Sequence, residues 1–280
     1  MINEQVVDYR GTEIKVLDKG LVKLIDFCGS DARIVQAARV SYGEGTKSVS
    51  SDRGLIRYLV RNHHNTPLEM VNFTFLVKMP IVIARQHSRH RTAKINEISG
   101  RYSIIKDEYY VPNFERMAQQ STDNKQGSSH ELIANPRTIQ LSMEAEAGQS
   151  FQNYDWYVES GLAREVARIN LPLSTYTEMY WQMDLHNLFH YLHLRLDSHA
   201  QYEIRVYAQA MLDLISPIVP HAVEAFTDYI LEGQHFSKQE MYALGAILQN
   251  CGVDVEQTAS TWLKGRELRE FLDKYNTHFE

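Results

Sequence analysis

Asn72-Phe73-Thr74-Phe75-Leu76-Val77-Lys78-Met79-Pro80 is the stretch from which the rest of the chain can be laid out. Phe73, Phe75, Val77 and Met79 recur at every second position, which predicts a strand over 72–79 with one buried face. Pro80 closes that strand. Its fixed φ and missing N–H suit the first position of a following helix. Immediately beyond comes Arg85-Gln86-His87-Ser88-Arg89-His90-Arg91, and then Glu97-Ile98-Ser99-Gly100-Arg101-Tyr102. Arg85, Arg89, Arg91 and Arg101 share this segment with a single acid, Glu97. A guanidinium binds phosphate through two parallel hydrogen bonds, so the cluster reads as a phosphate cradle that begins on a helix and runs into the loop after it.

Upstream, Ile14 and Val16, then Val22 and Leu24, alternate around Asp18-Lys19-Gly20, which predicts a hairpin over 13–26. A short helix is expected over 31–39. Ser51-Asp52 is placed to cap another carrying Leu55, Tyr58 and Leu59. Residues 119–129 are rich in Gln, Ser, Asn and Gly and read as a surface loop. Phe151, Tyr154, Val158, Leu162 and Val166 predict one long helix closed by Leu171-Pro172. Leu185, Leu188, Leu192 and Leu196 mark another, residues 200–215 a further one, and the tail two more around 242–248 and 261–272. The expected fold is α+β: an antiparallel sheet flanked by long helices, as a single catalytic domain over 1–280 with a helical C-terminal extension at 235–280.

The net charge of −6 argues against a nucleic-acid-binding protein. No apolar run reaches the length of a membrane span, and the N-terminus lacks the apolar core of a signal peptide. Cys28 and Cys251 are expected to be unpaired thiols in a reducing cytosol. His186, His190 and His193 could form half a metal site, but Asn187 stands where the zincin pattern needs Glu, and no metal is expected. Gly43-Glu44-Gly45-Thr46-Lys47-Ser48 satisfies neither the dinucleotide nor the phosphate-loop spacing and reads as a Gly-rich turn. Arg195 and His199 are four apart, so a helix would carry them on one face; a solvated face with a salt bridge is the bland alternative.

Arg89-His90-Arg91, seven residues, then Ser99 resembles the signature of the flavin-dependent thymidylate synthases. Three further stretches resemble that family in its order along the chain. They are His64-Asn65-Thr66-Pro67-Leu68-Glu69, Arg168-Ile169-Asn170-Leu171-Pro172, and Arg195-Leu196-Asp197-Ser198-His199-Ala200-Gln201. The resemblance spans about residues 13–230 and implies methylation of deoxyuridine monophosphate (dUMP) to thymidylate. Methylenetetrahydrofolate would supply the carbon, reduced FAD the hydride, and NADPH would reload the flavin. It also implies a cytoplasmic homotetramer with active sites between subunits, and no nucleic-acid or membrane partner.

By the same resemblance, Arg195 is catalytic. The dUMP set is Gln86, His87, Ser88, Arg89, Glu97, Ile98, Ser99, Gly100, Arg101, Arg168 and Arg195. The FAD set is His64, Thr66, Glu69, Arg89, His90, Arg91, Glu97, Asp184, His186, His190 and His199. This chain departs from the family at Asp184-Leu185-His186, where Asn-x-Arg is common, at His190, and at Lys94 within the signature spacer. Neither cysteine lies among groups that would activate a thiol, and Ser99 has no evident base, so Ser99 is read as a binding residue. Two other functions remain open at this level: a nucleotide- or RNA-binding module built on the arginines, and a metal-dependent hydrolase built on the histidines.

Overall fold

The computed structural model describes residues 8–40, 51–122 and 125–279. The Gly-rich turn expected at 43–48 lies outside them. Among the described residues there are seven strands: β1 Glu13–Val16, β2 Gly20–Cys28, β3 Asn72–Pro80, β4 Lys94–Glu97, β5 Ala118–Gln120, β6 Ser128–Leu132 and β7 Tyr176–Asp184. Five form one sheet in the order β1-β2-β3-β7-β4, with every neighbour antiparallel. The helices are α1 Asp31–Arg39, α2 Asp52–Arg61, α3 Thr66–Glu69, α4 Ile81–His87, α5 Pro136–Glu159, α6 Arg164–Ala167, α7 Leu185–Leu196, α8 Tyr202–Ile215, α9 Pro220–Phe226, α10 Lys238–Cys251, α11 Val255–Ala259 and α12 Gly265–Phe279. The fold is the expected mixture of helix and antiparallel sheet.

β3 is the central strand, and its alternation is the reason. Phe73, Phe75, Val77 and Met79 are fully buried, and across the ladder Phe73 meets Met183, Phe75 meets Trp181 and Val77 meets Met179. Such same-face pairs are the unit of sheet stability. Tyr207, Ala208 and Met211 of α8 and Leu188 and Leu192 of α7 belong to the same core. At the start of β2, a Cβ on Gly20 would lie 2.0 Å from the Tyr207 hydroxyl, which donates to the Lys78 carbonyl at 2.7 Å. Only glycine allows that approach. The turn before it falls one residue earlier than expected, with Leu17 at φ 60°.

Pro80 closes the strand as expected but is the N-cap of α4, one residue before the first helical position at which it was expected. It ends the β3–β7 ladder opposite Tyr176 and precedes α4 directly. The first free amides of α4 are satisfied by the sheet's approach loop: Ile81 N donates to Thr175 O and Val82 N to Leu173 O, both at 2.9 Å. Ser51 Oγ accepts from Gly54 N and caps α2 as expected.

Three expectations are corrected. Residues 119–129 are not a bare loop. β5 and β6 pair across them, and Gln120 Nε2 ties the turn by donating to the carbonyls of Lys125 and Gly127. Backbone pairing needs no apolar burial, so composition hid it. The long helix does not run to Leu171: α5 stops at Glu159, because Gly161 takes φ +86°, and Leu162 and Val166 are exposed. The tail holds three helices rather than two, with α11 started by Asp254 accepting from Gln257 N.

The chain divides by contact into two compact units, Met1–Leu231 and Glu232–Glu280. The second comprises α10 to α12, and α10 begins in a capping box of Ser237 and Glu240. Cys28 and Cys251 are both free and exposed. Among the described residues no helix is long and apolar enough to cross a membrane.

Candidate active site

Arg195 lies in the last turn of α7, where a cation meets the helix's negative end. Its Nε donates to His90 Nε2 at 3.1 Å, and Nη2 reaches the Gln86 carbonyl at 3.5 Å. His90 is buried. Burial, helped by Arg195 and His190, pushes its pKa down to about 4. The ring is therefore neutral at pH 7, accepts from Arg195 on Nε2 and carries its proton on Nδ1. The Tyr191 ring stands edge-on to His90 with centroids 4.7 Å apart, and the His190 ring lies 6.1 Å from it.

His87 sits behind this pair, wholly buried, its ring 4.4 Å from Trp181 and its Nδ1 3.1 Å from the Tyr191 hydroxyl. Burial first, then the nearby His90 and Arg195, push it down to about 3. Its ring therefore faces the core and not the cleft. It supports Tyr191 from within the core.

The loop after β4 brings the second group together. Ile98 N donates to Glu178 O and extends the edge strand, while the Ile98 side chain is exposed. Glu97 accepts from Thr177 Oγ1 at 2.5 Å, and Arg101 N donates to Ser99 Oγ at 3.3 Å. Gly100 is buried, and a Cβ there would lie 3.0 Å from Arg168 Cδ and 3.1 Å from its Nη1. The arginine signature thus touches Arg168 on one side and Arg195 on the other. Arg101 pairs with Glu165 at 3.0 Å on the surface. The side chains of Arg85, Arg89, Arg91 and Arg168 have no hydrogen-bonding partner among the described residues, and the first three residues are exposed. Ser88 caps α4. Lys94 is exposed on the edge strand.

The remaining sequence candidates are dispersed. His199 does not share a helix face with Arg195: α7 ends at Leu196, and Asp197 leaves the helix at ψ 140°. Asp197 Oδ1 accepts both His199 N, at 2.7 Å, and His199 Nδ1, at 2.8 Å. This is an Asx turn, which competes with the helix at its end. His199 instead lines a cavity of about 290 Å³ with Ser198, Arg205 and the β5–β6 hairpin. His64 and Thr66 line a separate cavity of about 1230 Å³ with residues of α1 and α2, and His64 packs 5.6 Å from Tyr58. Glu69, in α3, is exposed. Asp184 caps α7, accepting from Asn187 N at 2.9 Å and from Asn187 Nδ2 at 2.7 Å. His186 is half-buried and His190 exposed on that helix. Among the described residues no three His, Cys, Asp or Glu side chains are grouped to hold a metal.

With this geometry established, comparison with known proteins is decisive. The family model described as thymidylate synthase complementing protein matches residues 23–221. The chain belongs to that family. A relative from Treponema denticola, named flavin-dependent thymidylate synthase, is 51% identical over 94% of this chain and 96% of its own. One of the same name from Thermus thermophilus is 49% identical over 93% of this chain and 95% of its own. A solved structure, a UMP/dUMP methylase PolB from Streptomyces cacaoi bound with 5-Br dUMP, superposes with TM-score 0.69 at 33% identity, covering 78% of this chain and 99% of the other.

In this member of the thymidylate synthase complementing protein family, some supporting residues have no motif to announce them. Tyr191 packs against His90 and Trp181 against Tyr191; both are buried and read from sequence only as apolar positions. Gln86 Nε2 donates to Gln201 Oε1 at 2.5 Å. Glu203, buried beside Arg116, Tyr110 and Gln201, is recognisable only once α8 is placed.

Proposed function

We propose that this chain is a flavin-dependent thymidylate synthase that methylates dUMP to thymidylate. The observation that carries the reading is Arg195. Its guanidinium is oriented by a neutral ring nitrogen and a carbonyl, beside a signature segment in which the Arg89 and Arg91 side chains have no partner among the described residues. An arginine held without a carboxylate partner keeps its charge available. Facing the uracil, it favours ionisation at ring nitrogen 3 and so makes carbon 5 electron-rich. Arg168, against Gly100, and Arg89 serve the nucleotide phosphate, with Ser99, Arg101 and Gln86 placing the sugar and base.

The residues present fit a flavin. Exposed, unpartnered Arg89 and Arg91 suit a diphosphate, and the His64–Tyr58 pair and the His190 ring offer flat faces to a planar ring system. Bound and reduced, the FAD supplies the hydride that completes the methyl group. Methylenetetrahydrofolate as carbon donor and NADPH as reductant complete the reading, as do cytoplasmic localisation and a single catalytic domain over 1–280 extended by the tail. Within one protomer His64 and Thr66 open onto one cavity and His199 onto another. That separation supports a homotetramer in which neighbouring copies complete each site.

An absorbance spectrum of the purified protein tests this directly. FAD bands that bleach with NADPH, and thymidylate formed from dUMP and methylenetetrahydrofolate, are expected. A colourless protein that gains no flavin absorbance on reconstitution overturns the proposal.

A further inference from the structure

Gln86 is assigned above to the nucleotide, and an amide presents either a donor or an acceptor depending on which way it is turned. The two arrangements have the same shape. Nothing in Gln86 or in its partner Gln201 chooses between them, since two amides can pair either way round. A group that can only accept breaks the tie, and α8 supplies one.

Glu203 is 4% exposed, in the first turn of α8. Oε1 accepts from Arg116 Nε at 2.9 Å and from the Tyr110 hydroxyl at 3.2 Å. Oε2 accepts from Gln201 Nε2 at 2.8 Å. Burial works against its charge, but the Arg116 hydrogen bond, a backbone amide and Gln201 together outweigh that and hold its pKa below the usual value. An ionised carboxylate has no proton to give. Gln201 must therefore turn its nitrogen toward Glu203 and its oxygen away. That oxygen receives Gln86 Nε2 at 2.5 Å, so Gln86 must turn its nitrogen inward as well. Gln86 Oε1 is left without a partner among the described residues.

We propose that Glu203 is a positioning residue for substrate recognition: through Gln201 it fixes the Gln86 amide so that Gln86 presents only its carbonyl oxygen to the nucleotide. The inference rests on the reading of Gln86 as a dUMP ligand. The oxygen accepts from a hydroxyl or ring N–H of the nucleotide and rejects a lone pair brought to the same place. A polarity set by a buried ion pair is independent of the ligand, so the site is pre-organised before binding.

A double-mutant cycle on the flavin-loaded enzyme tests it, with dUMP affinity read by calorimetric titration. Glu203→Gln keeps the shape but lets the side chain donate, which frees the amides to turn over. Its dUMP Kd should rise by about fivefold to tenfold, the worth of one hydrogen bond. KM should rise more than kcat falls. In a Gln86→Ala background the same substitution should cost nothing further. Gln201→Leu interrupts the relay without touching the Arg116–Glu203 pair, and should behave likewise even where Glu203→Gln folds poorly. Equal losses with and without Gln86 would assign Glu203 to scaffold alone and overturn the proposal. Wild-type affinity in Gln86→Ala would remove Gln86 from the ligands and the proposal with it. Failure of the unmodified enzyme to bind dUMP would overturn the functional reading itself.

Discussion

Gly100→Ala isolates the contact between the signature loop and Arg168. Gly100 is buried, and its backbone is outside the left-handed region, so alanine meets no conformational penalty. The cost is steric. An added Cβ would lie 2.7 Å from Ile105 Cδ1, the far end of a side chain that can swing, and 3.0 and 3.1 Å from Arg168 Cδ and Nη1. Arg168 has no polar partner here to hold it back, so it yields by a few tenths of an ångström. Overpacking of that size costs about 1 kcal/mol of stability, the lower end of the range for an extra methyl. A charge-assisted hydrogen bond is worth about 1.5–3 kcal/mol, and a displaced guanidinium keeps part of it. A loss of about 1 kcal/mol raises the dUMP KM about fivefold. Arg168→Ala forfeits the whole interaction and should raise it by about tenfold to a hundredfold. Steady-state kinetics at saturating flavin and folate, with a thermal melt of each variant, provide the test. An unchanged KM in Gly100→Ala beside an impaired Arg168→Ala would show that the glycine does not govern Arg168. Unchanged values in both would remove Arg168 from the site.

Arg195→Lys keeps the charge but cannot bridge His90 Nε2 and the Gln86 carbonyl together; turnover should fall by about a hundredfold or more with a normal melting curve, and unfolding would instead make Arg195 a structural residue. His87 and His90 are held by burial at about 3 and about 4, below the value of about 6.5 expected in the unfolded chain. The unfolded state therefore binds more protons between those limits, and stability should drop as pH falls from about 6.5 toward 4. Melts across that range should fall less steeply in His90→Asn, and identical slopes would refute the assignment. Asp184→Ala removes the cap on Asn187 N and should cost about 1 kcal/mol. An unchanged melting temperature with lost flavin would make Asp184 a cofactor ligand and not a cap.

What the sequence makes legible follows the range of the forces involved. β3 can be read because its burial is one-sided and its period is two, and α4 because Pro80 has few other places to sit. The end of α5 was within reach as well: Gly161 offered a stop that the apolar stripe through Leu162 and Val166 obscured. The β5–β6 hairpin was not, since its pairing is backbone chemistry with almost nothing buried. Burial of His87 also has a local explanation. Ile83, Ala84 and His87 fall on one face of α4, so the helical period that buries the first two carries His87 into the sheet and turns Arg85 and Gln86 outward. His90, three residues later, is past the end of α4 and faces Arg195.

The contacts that give these residues their chemical state lie beyond any local pattern. Arg195 reaches His90 across 105 residues, Gln86 reaches Gln201 across 115, and Arg116 reaches Glu203 across 87. A motif can say that an arginine, a histidine and a glutamine recur together. It carries no information on which imidazole nitrogen holds the proton or which way an amide is turned. Those are decided by the nearest group with no choice of its own: a guanidinium that can only donate, a carboxylate that can only accept. Arg195 decides for His90, and Glu203 decides for Gln201 and then Gln86. The recognition chemistry of the signature segment is therefore set from α7 and α8, the elements that sequence spacing alone leaves unconnected to it.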